Sequence, residues 1–277
     1  MVDIAHKRES LLQELRSYGS CLVAMSAGVD SSVVAKAAQL ALGECAIAVT
    51  GVSASLAAGE LESAQDIAKL IGIRHEVIGT REQSSVLYRQ NGPDRCYHCK
   101  TELYTRLESL AAEWGLAVIA NGVNFDDLHD FRPGLRAAEE HRVRSPLVDC
   151  QIGKAELRQL ARDWGLPVWD RPASPCLASR VAYGQEVTPE RLQQIDLAET
   201  YVRGLGLREV RVRYHAGDVA RLEVSAEHLG RLCEPSTRRQ LVTYLKQLGF
   251  KFVTLDLEGF RSGSLNDLIP ADSLRLL

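Results

Sequence analysis

The run Ser26-Ala27-Gly28-Val29-Asp30-Ser31-Ser32 follows the apolar stretch Cys21-Leu22-Val23-Ala24-Met25 and precedes a helical pattern carried by Val33, Val34, Ala37, Ala38 and Leu40. Small side chains let backbone N–H groups crowd around an oxyanion, and the positive end of a helix dipole adds to the attraction. The run therefore predicts a phosphate cradle, with Ser26, Gly28, Val29, Asp30, Ser31 and Ser32 as its contacts. Asp30 is also the expected contributor to a Mg²⁺ environment, directly or through water. The length and the Asp-Ser-Ser ending differ from the G-x-x-x-x-G-K-[ST] loop, so no lysine inside the run grips the β and γ phosphates. The bland alternative is a tight strand-to-helix turn with an N-capping Asp or Ser.

A second candidate lies among the seven cysteines. In Arg95-Cys96-Tyr97-His98-Cys99-Lys100 two thiols stand at the spacing that lets both ligate one metal or cluster. Cys176, in the proline-framed run Arg171-Pro172-Ala173-Ser174-Pro175-Cys176-Leu177-Ala178-Ser179-Arg180, is a possible third ligand. Three thiolates are one short of a closed four-thiolate site, and in a [4Fe–4S] cubane they leave one iron open to bind sulfide. A zinc clip with His98 as an extra ligand, or a redox dithiol, are the alternatives. Cys21, Cys45, Cys150 and Cys233 sit in or beside apolar runs and read as buried small hydrophobes. Lys100 can lean on a phosphate or be a solvated surface lysine. Asn124, Asp126 and Asp127 follow an apolar stretch, where they either line a ligand or cap a loop.

The elements that must position these groups alternate through the first 170 residues. Candidate strands at Leu22–Met25, Ala46–Val52, Glu76–Ile78 and Ala117–Asn121 interleave with candidate helices at Ser32–Leu42, Glu60–Ile71, Lys100–Trp114 and Lys154–Trp164. That alternation predicts an α/β fold, a parallel sheet with helices on both faces and ligands at the carboxyl ends of its strands. The prolines of 171–182 forbid a regular element and mark a linker. From 183 to 277 the pattern changes to a smaller α+β domain. Its helix (Pro189–Leu205) precedes strands Glu209–Tyr214 and Val219–Val224, joined at a His215-Ala216-Gly217-Asp218 hairpin turn. A helix around Thr237–Leu248 and a strand Phe250–Leu257 follow. Arg211 and Arg213, two apart on a strand, share a face, and Arg221 and Glu223 do so on the return strand. Two forked guanidiniums side by side suit a phosphate monoester; a solvated sheet face is the alternative.

Composition excludes some classes. The chain has 277 residues, 45% hydrophobic and 25% charged, with 33 basic against 36 acidic side chains. A net charge of −3 supplies no general attraction for a polyanion, so nucleic acid is not an expected partner. Residues 1–10 mix His, Lys, Arg and Glu without an apolar core, and no run reaches a membrane span. The expectation is a cytoplasmic protein, whose thiols serve metal binding or catalysis rather than disulfides.

The phosphate loop resembles the PP-loop of ATP pyrophosphatases, usually Ser-Gly-Gly-x-Asp-Ser, with Ala27 departing from the second glycine. With it, Asn121-Gly122-Val123-Asn124-Phe125-Asp126-Asp127, Arg132-Pro133-Gly134, Arg144-Ser145-Pro146-Leu147 and the Cys176 segment recur in one order. So do Arg211-Val212-Arg213-Tyr214-His215 and the run Leu255-Asp256-Leu257-Glu258-Gly259-Phe260-Arg261-Ser262-Gly263-Ser264. Together they resemble, over essentially the whole chain, the LarE family of ATP-dependent sulfur transferases in nickel-pincer nucleotide cofactor biosynthesis. The resemblance implies adenylation, at the expense of ATP and Mg²⁺, of the two carboxylates of a pyridinium biscarboxylic acid mononucleotide. Conversion to thiocarboxylates follows. Some members sacrifice the sulfur of one cysteine; others carry three cysteines and a [4Fe–4S] cluster, the kind that Cys96, Cys99 and Cys176 resemble. It further implies ATP contacts at Asn124 and Asp127, catalysis at Cys176, and substrate contacts at Arg211, Arg213, Lys100, Arg180, Glu199 and Glu223. A homo-oligomer and handover to a downstream nickel-inserting enzyme are implied as well. The rivals are a PP-loop tRNA thiolase, an amide-forming ligase of the NAD or GMP synthetase type, and a non-catalytic nucleotide-binding or iron–sulfur sensor. From Leu177 onward 14 basic residues face 13 acidic ones, a weak field for RNA.

Overall fold

The computed structural model describes residues 4–129, 132–261 and 263–269. In chain order the strands are β1 (Cys21–Ala24), β2 (Ala46–Val52), β3 (Arg74–Gly79), β4 (Val118–Ala120), β5 (Val210–His215), β6 (Val219–Val224) and β7 (Phe252–Leu255). The helices are α1 (Ile4–Ser17), α2 (Val29–Leu42), α3 (Glu60–Ile71), α4 (Val86–Gln90), α5 (Arg95–Trp114), α6 (Gly134–Glu140), α7 (Pro146–Asp149), α8 (Lys154–Asp163), α9 (Pro189–Gly204), α10 (Leu229–Cys233) and α11 (Pro235–Gln247). Among the described residues no helix is long and apolar enough to cross a membrane.

The expected parallel sheet is present, with strand order β3-β2-β1-β4. Alternation along its strands splits the core into two layers, because successive side chains point to opposite faces. Cys21, Val23, Ala46, Ala48 and Ala120 pack with Leu11 and Leu15 of α1, Val33, Val34 and Ala37 of α2, Ile67 of α3, and Leu157 and Leu160 of α8. On the other face Leu22, Ile47, Val49 and Ile119 pack with Tyr104, Leu107 and Ala111 of α5 and Ala137 and Ala138 of α6. Helix α2 buries residues all round, from Val29 through Ala38. Its small Ser and Ala side chains leave room for that. Helix α3 stops at Gly72, whose φ of +78° lets its N–H reach back to the carbonyls of Ala68 and Lys69.

Two helices begin earlier than the sequence reading places them. α2 starts at Val29, not Ser32, so Asp30, Ser31 and Ser32 form its first turn. α5 starts at Arg95, not Lys100, which puts Cys96 and Cys99 on a helix. In both cases the regular apolar period begins only about one turn in, because the first turns are mostly polar or small: Asp30, Ser31 and Ser32 in α2, Arg95, Cys96 and His98 in α5. Two of the four cysteines read as buried are not. Cys45 and Cys233 are exposed, at a short helical turn and a helix end, Cys150 is half-buried, and Cys21 alone is fully enclosed.

The chain divides into two compact units. The first is Met1–Ser53, Gly59–Glu82 and Cys96–Ser174; the second is Ala54–Ala58, Gln83–Arg95 and Pro175–Leu277. The proline-rich run thus passes from one to the other at Ser174, and two short earlier segments join the second unit, a long-range exchange with no local signature. In the second unit β5 and β6 form an antiparallel hairpin closed at Ala216–Asp218, and β7 joins β6 in parallel. Gly217 and Asp218 take positive φ there, as the turn requires. Helix α9 is started by Thr188, whose hydroxyl accepts from the Arg191 N–H, and by Pro189 in its first turn.

Leu107 is fully buried between α5 and the sheet. Leu107→Ala is expected to lower unfolding stability by roughly 2–5 kcal/mol, the usual cost of a core cavity. A urea unfolding midpoint checks this.

Candidate nucleotide and cysteine sites

The loop after β1 ends in a helix N-terminus that, among the described residues, no side chain caps. Gly28 occupies the N-cap position in extended conformation and no side chain accepts from the first turn of α2. The hydroxyls of Ser31 and Ser32 turn back to the Gly28 carbonyl instead, and the Ser26 N–H donates to Ser31 Oγ at 3.1 Å. The Ser32 N–H bonds the Gly28 carbonyl at 3.0 Å, while among the described residues no side chain accepts from the Val29, Asp30 or Ser31 N–H, which are left for an external acceptor as a phosphate cradle needs. Ala27 takes φ of +60°, the left-handed conformation that a glycine would adopt without strain. Arg171 braces the loop: its guanidinium bonds Glu60 at 2.8 Å and Ser63 at 2.9 Å and reaches the Ala27 carbonyl at 3.5 Å.

The loop after β4 closes on the same helix end. A Cβ on Gly122 would stand 2.6 Å from the backbone nitrogen of Ser31, so only glycine permits this approach. Beyond it, Asn124 is almost fully buried and its amide nitrogen joins two carboxylates, Asp30 at 3.2 Å and Asp127 at 3.0 Å. Burial raises the Asp127 carboxyl above the usual range, opposed by Arg132 2.8 Å away. Lys154, the first residue of α8, places Nζ 2.6 and 2.8 Å from the two Asp30 oxygens. Asp126 lies outside this pair and accepts from the Lys154 N–H at 2.7 Å. Two adjacent carboxylates fit Mg²⁺, which keeps waters and completes its shell with phosphate oxygens. Sequence reading missed Lys154 and Arg171. A lysine opening a helix, against the dipole, was the available signal for the first; for the second there was none.

Cys96 and Cys99 lie three residues apart in the first turn of α5, so their thiols share a face, with Cβ atoms roughly 5–6 Å apart. One is exposed and the other half-buried. They suit two positions of a metal or cluster site. Among the described residues no group of three or more His, Cys, Asp or Glu side chains is gathered to hold a metal ion. Lys100 is exposed, with Nζ 6.0 Å from the Tyr104 ring centroid. Burial pushes Cys21 to about 12 and Cys150 to about 11, so neither offers a thiolate nucleophile at neutral pH.

In the second unit Cys176 is exposed, immediately before a single helical turn, Leu177–Arg180. Its carbonyl accepts from Arg180 at 2.9 Å and from the Ser179 N–H and hydroxyl. Arg180 also holds the Pro175 carbonyl. The structure places Arg180 inside this unit rather than on a face: it is fully buried and its other donors bind Glu199 at 3.0 and 3.3 Å. Glu199 in turn accepts from Arg203 and from the Val212 N–H. The β5 arginines share one face as expected, opposite Arg221 and Glu223 on β6. Arg213 is paired with Glu223 at 2.7 Å and donates to the Ser179 carbonyl. Arg211 stacks over Phe260, and burial, then the charge of Arg180, lowers it to about 10, which leaves it cationic at neutral pH. Glu199 and Glu223 are fully enclosed and stand behind the guanidiniums as counter-charges.

No protein-family model matches the chain. It is 46% identical over 265 residues to an uncharacterized protein of Synechocystis, covering 94% of this chain and 98% of that one. It is 36% identical over 281 residues to the pyridinium-3,5-bisthiocarboxylic acid mononucleotide synthase of Lactiplantibacillus plantarum, covering 99% of each. A tRNA-specific 2-thiouridylase of Xanthobacter autotrophicus is 32% identical over 240 residues, with 71% of this chain and 61% of that one covered.

Gly122→Ala is expected to weaken ATP binding by about tenfold or more, since the methyl group displaces the first turn of α2; titration calorimetry reads it. Burial also lowers the His75 and His215 imidazoles below 6.5. A folded-state value below the unfolded one means the unfolded chain binds more protons, so stability is full above 6.5 and falls as pH drops through the folded values. His215 accepts from Arg221 Nε, a bond that protonation breaks. Thermal unfolding between pH 5 and 7 checks the slope, which His75→Asn and His215→Asn should each flatten.

Proposed function

The chain belongs to the LarE family of ATP-dependent sulfur transferases, and on that premise we propose that it converts the carboxylates of pyridinium-3,5-biscarboxylic acid mononucleotide into thiocarboxylates. The observation that carries this reading is the uncapped α2 N-terminus beside Asp30 and Asp127, a site for the phosphates of ATP and their Mg²⁺. A carboxylate is a poor electrophile, because its leaving group would be oxide. Its oxygen first attacks the α-phosphorus, the bond to the bridging oxygen breaks, and pyrophosphate leaves with that electron pair into the Ser26–Ser32 loop. Backbone N–H groups there and the helix dipole stabilise the departing charge. Sulfur then attacks the acyl carbon, and AMP leaves with the electrons of the acyl C–O bond.

In this proposal Arg211 and Arg213 take the phosphate monoester of the mononucleotide. The Glu223 and Glu199 carboxylates hold the guanidiniums in place, and Arg180 fixes the backbone that presents Cys176. Lys100 and Asn124 stand beside the phosphates. A [4Fe–4S] cluster held by Cys96, Cys99 and Cys176 would supply the sulfur as hydrosulfide; the shared face of the first two and the exposure of Cys96 and Cys176 support it. Assembly as a homo-oligomer and handover of product to a nickel-inserting enzyme belong to the same proposal. The tRNA thiolase reading has less support, since that relative is covered over only 61% of its length.

Cys176→Ala is expected to abolish thiocarboxylate formation while ATP and the mononucleotide still release pyrophosphate. Mass spectrometry of product and chain after turnover reads both points. Product from the variant would remove Cys176 from the mechanism. Loss of one H₂S from the wild-type chain would make the cysteine itself the sulfur donor.

A further inference from the structure

The phosphate loop carries no lysine, yet the pyrophosphate it must hold bears several negative charges. A helix N-terminus offers only about half an elementary charge. Among the described residues, the cation in contact with a loop side chain is Lys154, bound to both oxygens of Asp30. Arg171, which reaches the loop only at the Ala27 carbonyl, is committed to Glu60 and Ser63, and Arg132 is paired with Asp127.

The placement of Lys154 is costly in local terms. It opens α8, where the positive end of the dipole disfavours a cation. The surrounding backbone holds it there. Its N–H donates to Asp126 at 2.7 Å, the Gly153 N–H donates to Glu156 at 2.8 Å, and a Cβ on Gly153 would lie 3.0 Å from Asp126. The main chain is pinned while the side chain, about one third exposed, remains at the site edge. Asp30, a quarter exposed, is meanwhile neutralised by that ammonium and linked through Asn124 to Asp127. A carboxylate so paired is a poor ligand for a divalent cation, because metal and ammonium compete for the same oxygens.

We propose that Lys154 is an exchange residue, neutralising Asp30 when no nucleotide is bound and moving to the ATP phosphates so that Asp30 can take the metal. Lysine suits the exchange: its ammonium is a compact charge on a flexible stem, with three donors and no fixed fork. The charges balance at each stage, since ATP arrives with a divalent cation for Asp30 and with phosphate oxygens for the lysine. The inference rests on the reading of the Ser26–Ser32 loop as an ATP site.

The test uses Mn²⁺ alone, followed by electron paramagnetic resonance on the nucleotide-free full chain, and ATP with Mg²⁺ by calorimetry. In Lys154→Met, and equally in Lys154→Gln, Mn²⁺ is expected to bind about tenfold more tightly. Adding Asp30→Asn should abolish that gain. Both single variants should bind ATP about tenfold more weakly. Unchanged Mn²⁺ binding with weakened ATP would make Lys154 a fixed phosphate ligand and overturn the exchange. Tighter Mn²⁺ with unchanged ATP would make it a structural counter-ion, and overturn it equally. Neither measurement contains the mononucleotide, so a wrong substrate assignment leaves both outcomes intact. Absence of ATP binding in the wild type would instead remove the ATP-site reading.

Discussion

The approach of Gly122 to the backbone of Ser31 is the constraint on which the first unit's chemistry depends. It brings the loops after β1 and β4, which belong to neighbouring strands, against one helix end. Everything polar at the site follows from that approach. Asn124 reaches Asp30, Asp127 lies beside Asn124, and Asp126 accepts from the N–H of Lys154, whose side chain meets Asp30 from the start of α8. A parallel sheet supplies the setting without further cost, because all its strands point their carboxyl ends to one edge. The small residues of α2 matter for the same reason: a bulkier helix would stand farther from the strands and lift the cradle away from its partners.

In the second unit the organising interaction is a buried ladder of guanidiniums and carboxylates. Arg180, Glu199, Arg213 and Glu223 are all nearly or fully enclosed. Such ions are tolerable only when each is paired and its remaining hydrogen-bonding capacity is filled. Here the filling is thorough. Glu199 accepts from two arginines and a backbone N–H, while Glu223 accepts from Arg213 and the Ser264 hydroxyl. Arginine rather than lysine serves this purpose because one planar fork can meet a carboxylate and backbone carbonyls at once. Through Arg180 the ladder also grips the carbonyls on either side of the Pro175–Cys176 bond, and so fixes an exposed thiol on a segment that lacks long regular structure.

The two units use charge differently. Around Asp30 the ion pair is partly exposed, which leaves the lysine free to change partners. Around Glu199 and Glu223 the carboxylates are fully enclosed, so rearrangement would strand a buried charge. One arrangement suits a site that must respond to a ligand, and the other suits a scaffold that must hold still.

Alternating apolar runs were sufficient to read the parallel sheet, its ligand-bearing edge and the hairpin of β5 and β6, because burial on both faces leaves a local, periodic mark. The small-residue run and the cysteine spacing likewise announced their chemistry through residue type alone. Helix starts at Val29 and Arg95 were not legible, since Val29-Asp30-Ser31-Ser32 and Arg95-Cys96-Tyr97-His98-Cys99 lack the regular apolar period that marks the rest of each helix. Nor was the fate of Arg180, whose surface-like composition conceals complete burial. What the sequence determined by itself is what depends on neighbours along the chain: period, turn type and the reactive groups at short spacing. The tertiary structure alone decided that Lys154 meets Asp30 across 124 residues and that Ala54–Ala58 and Gln83–Arg95 join the second unit. Such pairings are set by packing of distant segments, and one-dimensional patterns carry no record of them.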